Sequence, residues 1–143
     1  MPPAPFLSGK RIAERQAEPC LVAFAAAELA VRDPEVVKRI TQYLEPAVID
    51  TYLQMIASRC EAMLGVLRTP DALADSDDTL AEAAHTLAGS AGMLGFTRLA
   101  DDGMRLERAL RARLPGIPIL ADRMAKAIEA TLDNISMLRA ISA

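Results

Sequence analysis

Tryptophan is absent from this chain, and aromatic residues make up 3% of its 143 residues. β-branched clusters of strand length are also scarce, so the material from which sheet-rich cores are usually built is missing. There is no basic excess: 16 Lys and Arg stand against 19 Asp and Glu, a formal net charge of −3 with no long basic run, which argues against a nucleic-acid binder. No stretch approaches the roughly 20 unbroken apolar residues that span a bilayer. The opening Met-Pro-Pro-Ala-Pro lacks the basic and apolar regions of a secretion signal, so the sequence reads as cytoplasmic. The two cysteines, Cys20 and Cys60, stand apart with no CxxC spacing, and there is one histidine, His85. A dedicated zinc or haem site therefore has little ligand support. Each cysteine sits in an apolar helical pattern and reads as a reduced, small hydrophobe.

What the chain does contain is aliphatic. Apolar residues make up 52% of it, dominated by alanine, leucine and methionine, which points to helix packing in a single domain. Residues 1 to about 8 are proline-rich and read as irregular. Helical spacing runs from Gly9 to Arg32, broken or restarted at Pro19. Asp33-Pro34 has the cap and first-turn chemistry of a helix start, with Val36, Val37, Ile40, Tyr43 and Leu44 following. Pro46 opens a long amphipathic pattern from Ala47 to about Leu67. Thr69-Pro70-Asp71 closes it, and Asp71 to Asp78 is expected as an acidic loop. Asp77 or Asp78 can cap the next helix, which ends at Gly95. Thr97 is expected to cap a further helix anchored by Leu99, Met104, Leu106 and Leu110. After the Leu114–Pro118 turn, a last helix runs from about Pro118 to Ile141. The expected fold is all-α: an antiparallel four-helix bundle over residues 46–143, preceded by an N-terminal helical extension over residues 1–45 whose role the sequence leaves open.

One stretch departs from ordinary helix composition. Between Thr79 and Phe96, Leu80, Ala83, Ala84, Leu87, Ala91 and Leu94 form a core stripe at about 100° per residue, and His85 points the opposite way. Beside it lie Ala81, Ala88, Gly89 and Gly92 rather than the charged helix formers of a solvated face. Glycine in mid-helix costs roughly 1 kcal/mol relative to alanine. Two explanations fit: a bare surface that a partner approaches closely, or an ordinary surface histidine next to glycines that admit a neighbouring helix.

His85-Thr86-Leu87-Ala88-Gly89-Ser90-Ala91-Gly92-Met93-Leu94-Gly95-Phe96, followed by Leu99-Ala100 and Leu106-Glu107, resembles the signature of histidine-containing phosphotransfer (HPt) domains. That pattern is roughly His-x-Leu-Lys-Gly-Ser-Ser/Ala-x-x-x-Gly, with Leu-Glu or Leu-Gln about three turns into the next helix. The agreement spans two helices at fixed offsets and is strongest from Glu82 to Glu107. It departs from the family at Ala88, where relatives carry a lysine.

The resemblance implies a phosphocarrier without autokinase activity, in which His85 accepts a phosphoryl group from, and returns it to, aspartyl-phosphate receiver domains. The partners implied are response-regulator receivers and a hybrid sensor kinase. There is no cofactor of its own, Mg²⁺ being supplied by the receiver. A monomer is expected, with no nucleic-acid or membrane contact. Glu107 falls where the family places a residue that orients the imidazole. Ala81, Ala88, Gly89, Gly92, Met93 and Phe96 would form the docking face, and Arg98, Arg105 or Arg108 would replace the missing lysine charge. A neutral imidazole, with an ordinary pKa of about 6.5, is a nucleophile near neutral pH. The alternative is a phosphotransfer-inactive module that docks receivers without using His85, which the loss of the lysine keeps open.

Overall fold

A computed structural model describes residues 30–74 and 78–142. The helical spacing expected before Ala30, Cys20 and the capping candidate Asp77 lie outside the described residues. Among the described residues all regular structure is helical: α1 (Pro34–Tyr43), α2 (Pro46–Leu67), α3 (Pro70–Ala74), α4 (Asp78–Met93), α5 (Thr97–Ala112) and α6 (Ile117–Ser142).

Local chemistry sets most of the boundaries. The Asp33 side chain accepts from the Glu35 amide at 2.9 Å, and Pro34 takes the first helical position of α1. Pro46 begins α2 in the same way, its predecessor Glu45 held extended as a residue before proline must be. α4 ends in a Schellman turn. Gly95 stands at φ +88°, the Phe96 amide donates to the Ala91 carbonyl at 2.8 Å, and the Gly95 amide donates to that of Gly92 at 3.1 Å.

Two expected local features differ. Thr97 is the first residue of α5 rather than its cap. Phe96 holds the cap position without a side-chain bond, and the Thr97 hydroxyl donates to the Gly95 carbonyl at 3.2 Å. The chain has already been turned by Gly95, so no side-chain cap is needed to start α5. The acidic segment after Pro70 is not all loop. Pro70 opens the short helix α3, and Leu73 folds back against the core, which gives the segment an apolar reason to coil.

Four helices enclose the core. Each of α2, α4, α5 and α6 packs on the next, and α6 closes back on α2. The pairings run antiparallel. Asp50 near the start of α2 meets Arg139 near the end of α6, while Arg68 at the end of α2 meets Glu129. Across α4 and α5, His85 meets Glu107 while Glu82 meets Arg111. The all-α four-helix bundle read from the sequence is therefore the architecture found.

The core draws Leu53, Ile56, Cys60 and Met63 from α2 and Leu80, Ala84, Leu87 and Ala91 from α4. Leu99 and Leu106 come from α5, and Met124, Ile128 and Ile135 from α6. Each fully buried large aliphatic side chain is worth about 1.5–3 kcal/mol relative to exposure. Two residues expected inside are not. Ala83 is exposed on the flank of α4 that faces α2, and Met104 stands out from α5. Cys60 is a free, fully buried thiol, and burial with a second push from Glu61 raises its pKa to about 12.

The segment before the bundle closes over the end of α4. The Asp33 amide donates to the Gly95 carbonyl at 2.7 Å, the Arg32 Nε donates to the Leu94 carbonyl at 3.1 Å, and the Arg32 guanidinium lies 4.9 Å from the centre of the Phe96 ring.

Candidate functional site: a histidine held by a carboxylate

α4 carries His85 in its middle, and α5 returns antiparallel beside it. At about 100° per residue, Leu80, Ala84, Leu87 and Ala91 take the inner face of α4, which sends His85 outward. Its side chain is 64% exposed. Leu99, Leu106 and Ala109 commit the opposite face of α5 to the core, and this sets Glu107 on the edge that meets α4. There its side chain is 17% exposed, and one carboxylate oxygen, Oε1, lies 3.0 Å from His85 Nδ1.

The second oxygen of Glu107 is also taken. Arg111, one turn further along α5, donates from Nε to Glu107 Oε2 at 2.9 Å and from a terminal nitrogen to Glu82 Oε1 on α4 at 3.1 Å. The Arg111 hydrogen bond is the largest influence holding the Glu107 carboxyl below its ordinary range. Partial burial opposes it, and the His85 contact adds to it. The arginine is shifted the other way, upward, by Glu107 and then Glu82. An ionised carboxylate can only accept, so Nδ1 carries the hydrogen of the shared bond. Nε2 then holds the lone pair, on an exposed ring. The site consequently presents one nucleophilic nitrogen whose partner nitrogen is fixed.

The surface around His85 differs from the one read off the helix wheel. Met93 stands open to solvent, and Gly89 and Gly92 are exposed beside the histidine. A methyl group added to Gly89 would meet no atom within 4 Å, so the bundle does not require glycine there. Ala81, Ala88 and Phe96, expected on the docking face, are buried and cannot contact a partner in this fold. Ala81 and Ala88 lie on the flank of α4 that α5 covers, and Phe96 turns inward from the α4–α5 turn under Arg32. The open sector around His85 extends toward α2 and includes Glu82, Thr86, Gly89, Gly92 and Met93. On that side a groove of about 740 Å³ runs between α2 and α4, lined in part by Arg59, Met63, Val66, Ala83 and Thr86. Arg59 donates to the Ser90 hydroxyl at 2.8 Å.

The three arginines expected to supply charge are not brought to His85. Arg98 and Arg105 leave α5 roughly half a turn around from Glu107, and Arg105 pairs with Asp101 at 2.8 Å along its own helix. Arg108 is exposed on a third side. The cation that does join the site is Arg111, whose i, i+4 spacing from Glu107 was a legible signal of pairing on one helix face. Among the described residues no group of three or more His, Cys, Asp or Glu could hold a metal ion. No described helix is long and apolar enough to cross a membrane.

No curated protein and no solved structure matches the chain. The family model for the Hpt domain matches residues 47–137, a span running from the first turn of α2 into the last turns of α6 and including His85, Glu107 and Arg111. On that match and on the bundle that carries it, the chain belongs to the Hpt domain family, the phosphotransfer modules of two-component signalling.

Proposed function

We propose that His85 is the phosphoacceptor of a phosphorelay intermediate, which takes a phosphoryl group from the aspartyl phosphate of a receiver domain and passes it to another. The observation that carries this is the 3.0 Å contact between His85 Nδ1 and Glu107, which leaves Nε2 as the lone-pair nitrogen of an exposed ring. In the forward step the Nε2 lone pair attacks phosphorus. A P–N bond forms, the P–O bond to the receiver's aspartate breaks, and the aspartate leaves as a carboxylate. The ring gains positive charge as Nε2 is substituted, and the Glu107 carboxylate at Nδ1 stabilises it. The reverse step uses the same atoms.

The receiver supplies Mg²⁺ and most of the stabilisation of the transferring group, so this chain needs little beyond an exposed, oriented imidazole. The partners are response-regulator receivers and a hybrid sensor kinase in the cytoplasm. The chain acts as a phosphocarrier with no autokinase step of its own. Gly89 and Gly92 leave room for receiver loops beside the ring.

A second reading, docking without transfer, is favoured by Ala88 in place of the family's lysine. One experiment separates the two. The full chain and its His85→Gln variant are incubated with phosphorylated receiver domains, and acid-labile, base-stable label is followed. Wild type takes label and the variant takes none, with stability within about 0.5 kcal/mol because the replaced side chain is on the surface. Label persisting on the variant assigns the acceptor elsewhere. Receiver binding without label on wild type establishes the inactive module.

A further inference from the structure

Arg111 belongs to no element of the reading above, yet it is the residue on which the His85 site closes. It donates Nε to Glu107 Oε2 at 2.9 Å and a terminal nitrogen to Glu82 Oε1 at 3.1 Å, so a single guanidinium ties α5 to the helix that bears the histidine. Glu107 uses one oxygen on His85 and the other on Arg111. We propose that Arg111 is a positioning residue for His85, acting through Glu107: it pins the carboxylate so that Oε1 stays on Nδ1 and Nε2 keeps its lone pair. The proposal rests on His85 being the phosphoacceptor and adds the residue that sets which ring nitrogen is free to react.

Physical chemistry distinguishes this role from an ordinary surface ion pair. Exposed pairs add little to stability, because solvent screens them and both side chains lose freedom. Arg111 is 42% exposed, so the fold has little need of it. The carboxylate it holds has a directional task, however. Released from Arg111, Glu107 can rotate toward water, and the neutral ring is then free to place its hydrogen on Nε2. A ring protonated at Nε2 presents no lone pair there and cannot attack phosphorus. The planar fork suits the task, since its N–H groups point in fixed directions toward two carboxylates on two helices. The ammonium of a lysine carries the same charge without that geometry. Glu82 contributes by holding the far side of the fork, and it lies three residues before His85 on the same exposed sector.

The chain has one histidine, so the ring nitrogens of ¹⁵N-labelled full-length protein report His85 without ambiguity. Long-range ¹H–¹⁵N spectra are compared for wild type, Arg111→Ala, Arg111→Lys and Glu107→Ala, beside transfer rates from a phosphorylated receiver domain and melting temperatures. Wild type shows the Nδ1–H form. Arg111→Ala moves the ring toward the Nε2–H form and slows transfer about tenfold, within the range over which contacting charged groups couple. Its melting temperature barely changes, and Arg111→Lys recovers part of the rate and part of the tautomer. In a Glu107→Ala background, which removes the acceptor altogether, Arg111→Ala costs nothing further, because the path it acts through is already cut.

An unchanged tautomer or an unchanged rate in Arg111→Ala overturns the proposal. So do losses that add fully in the double variant, which place Arg111 directly on the phosphoryl group. If wild type takes no label at all, the phosphoacceptor reading falls, while the ring spectra still decide whether Arg111 governs the tautomer.

Discussion

Ala88 of α4 and Gly103 of α5 meet with almost no side chain between the helices. A methyl group added to Gly103 would stand 3.0 Å from the Ala88 Cβ and 3.4 Å from both the Ala84 carbonyl oxygen and the Met124 Cε. This contact brings the two backbones close enough for Glu107 to reach His85. It also explains the burial of Ala88, 5% exposed, on a flank that the helix wheel marks as beside the histidine.

Gly103→Ala should therefore destabilise the bundle although it raises helix propensity. The Cβ–Cβ clash lies between two atoms fixed to backbone, so a helix must shift, at an overpacking cost of about 1–3 kcal/mol. The propensity gain is at most about 1 kcal/mol. Gly89→Ala should do the opposite, gaining about 0.5–1 kcal/mol, because its added methyl group meets nothing. Melting temperatures of the two variants should move in opposite directions. A Gly103→Ala variant as stable as wild type would show that the α4–α5 seam has slack.

Gly89→Lys tests docking on the same face. The lysine fits the open space without strain, so the melting temperature should hold or rise by up to the roughly 1 kcal/mol of recovered propensity. Transfer from a phosphorylated receiver should slow, because a long side chain now stands beside the ring where partner loops pass. Unchanged transfer with a stable fold would remove Gly89 from the docking surface.

Acid should dissolve the support of His85 in a defined direction. The Glu107 carboxyl is held below its ordinary value, first by Arg111 and, against the opposing effect of partial burial, by His85. A depressed folded value means that its contribution is fully present above the ordinary carboxylate range, about 4.3, and is lost as pH falls through the folded value. The melting-temperature gap between wild type and Glu107→Gln should accordingly be constant near neutrality and shrink below about pH 5. A gap independent of pH down to acid unfolding would mean that the ionised carboxylate adds nothing to the fold.

Cys60 should be chemically silent in the native protein. It is fully buried and its pKa is pushed to about 12, so at pH 8 almost no thiolate exists and no reagent reaches it. In a Cys20→Ser variant, where Cys60 is the remaining thiol, a disulfide reagent at pH 8 should give no reaction until denaturant is added. Rapid labelling of the folded variant would reveal opening of the α2 side of the core.

What the sequence determined by itself is local and periodic. Asp33-Pro34 and Pro46 announce helix starts through side-chain capping and a fixed φ, and Gly95 announces a left-handed turn, all within a few residues of chain. The spacing of Leu53, Ile56, Cys60 and Met63, or of Leu80, Ala84, Leu87 and Ala91, marks an inner face because a helix repeats every 3.6 residues. Those regularities were enough to read the bundle and the outward aim of His85, whereas the candidacy of Glu107 came from the resemblance to the HPt signature. The rotation of one helix against its neighbour was decided by tertiary structure alone. A helical period states the angles among side chains on one helix, but which flank a neighbour covers depends on volumes contributed by both. The missing side chain at Gly103 draws α5 onto the Ala81–Ala88 flank of α4, which buries two of the expected docking residues and leaves the open sector toward α2. The same rotation turns Arg111, rather than Arg98, Arg105 or Arg108, toward Glu82 on the helix that carries the histidine, while its pairing with Glu107 follows from their spacing along α5.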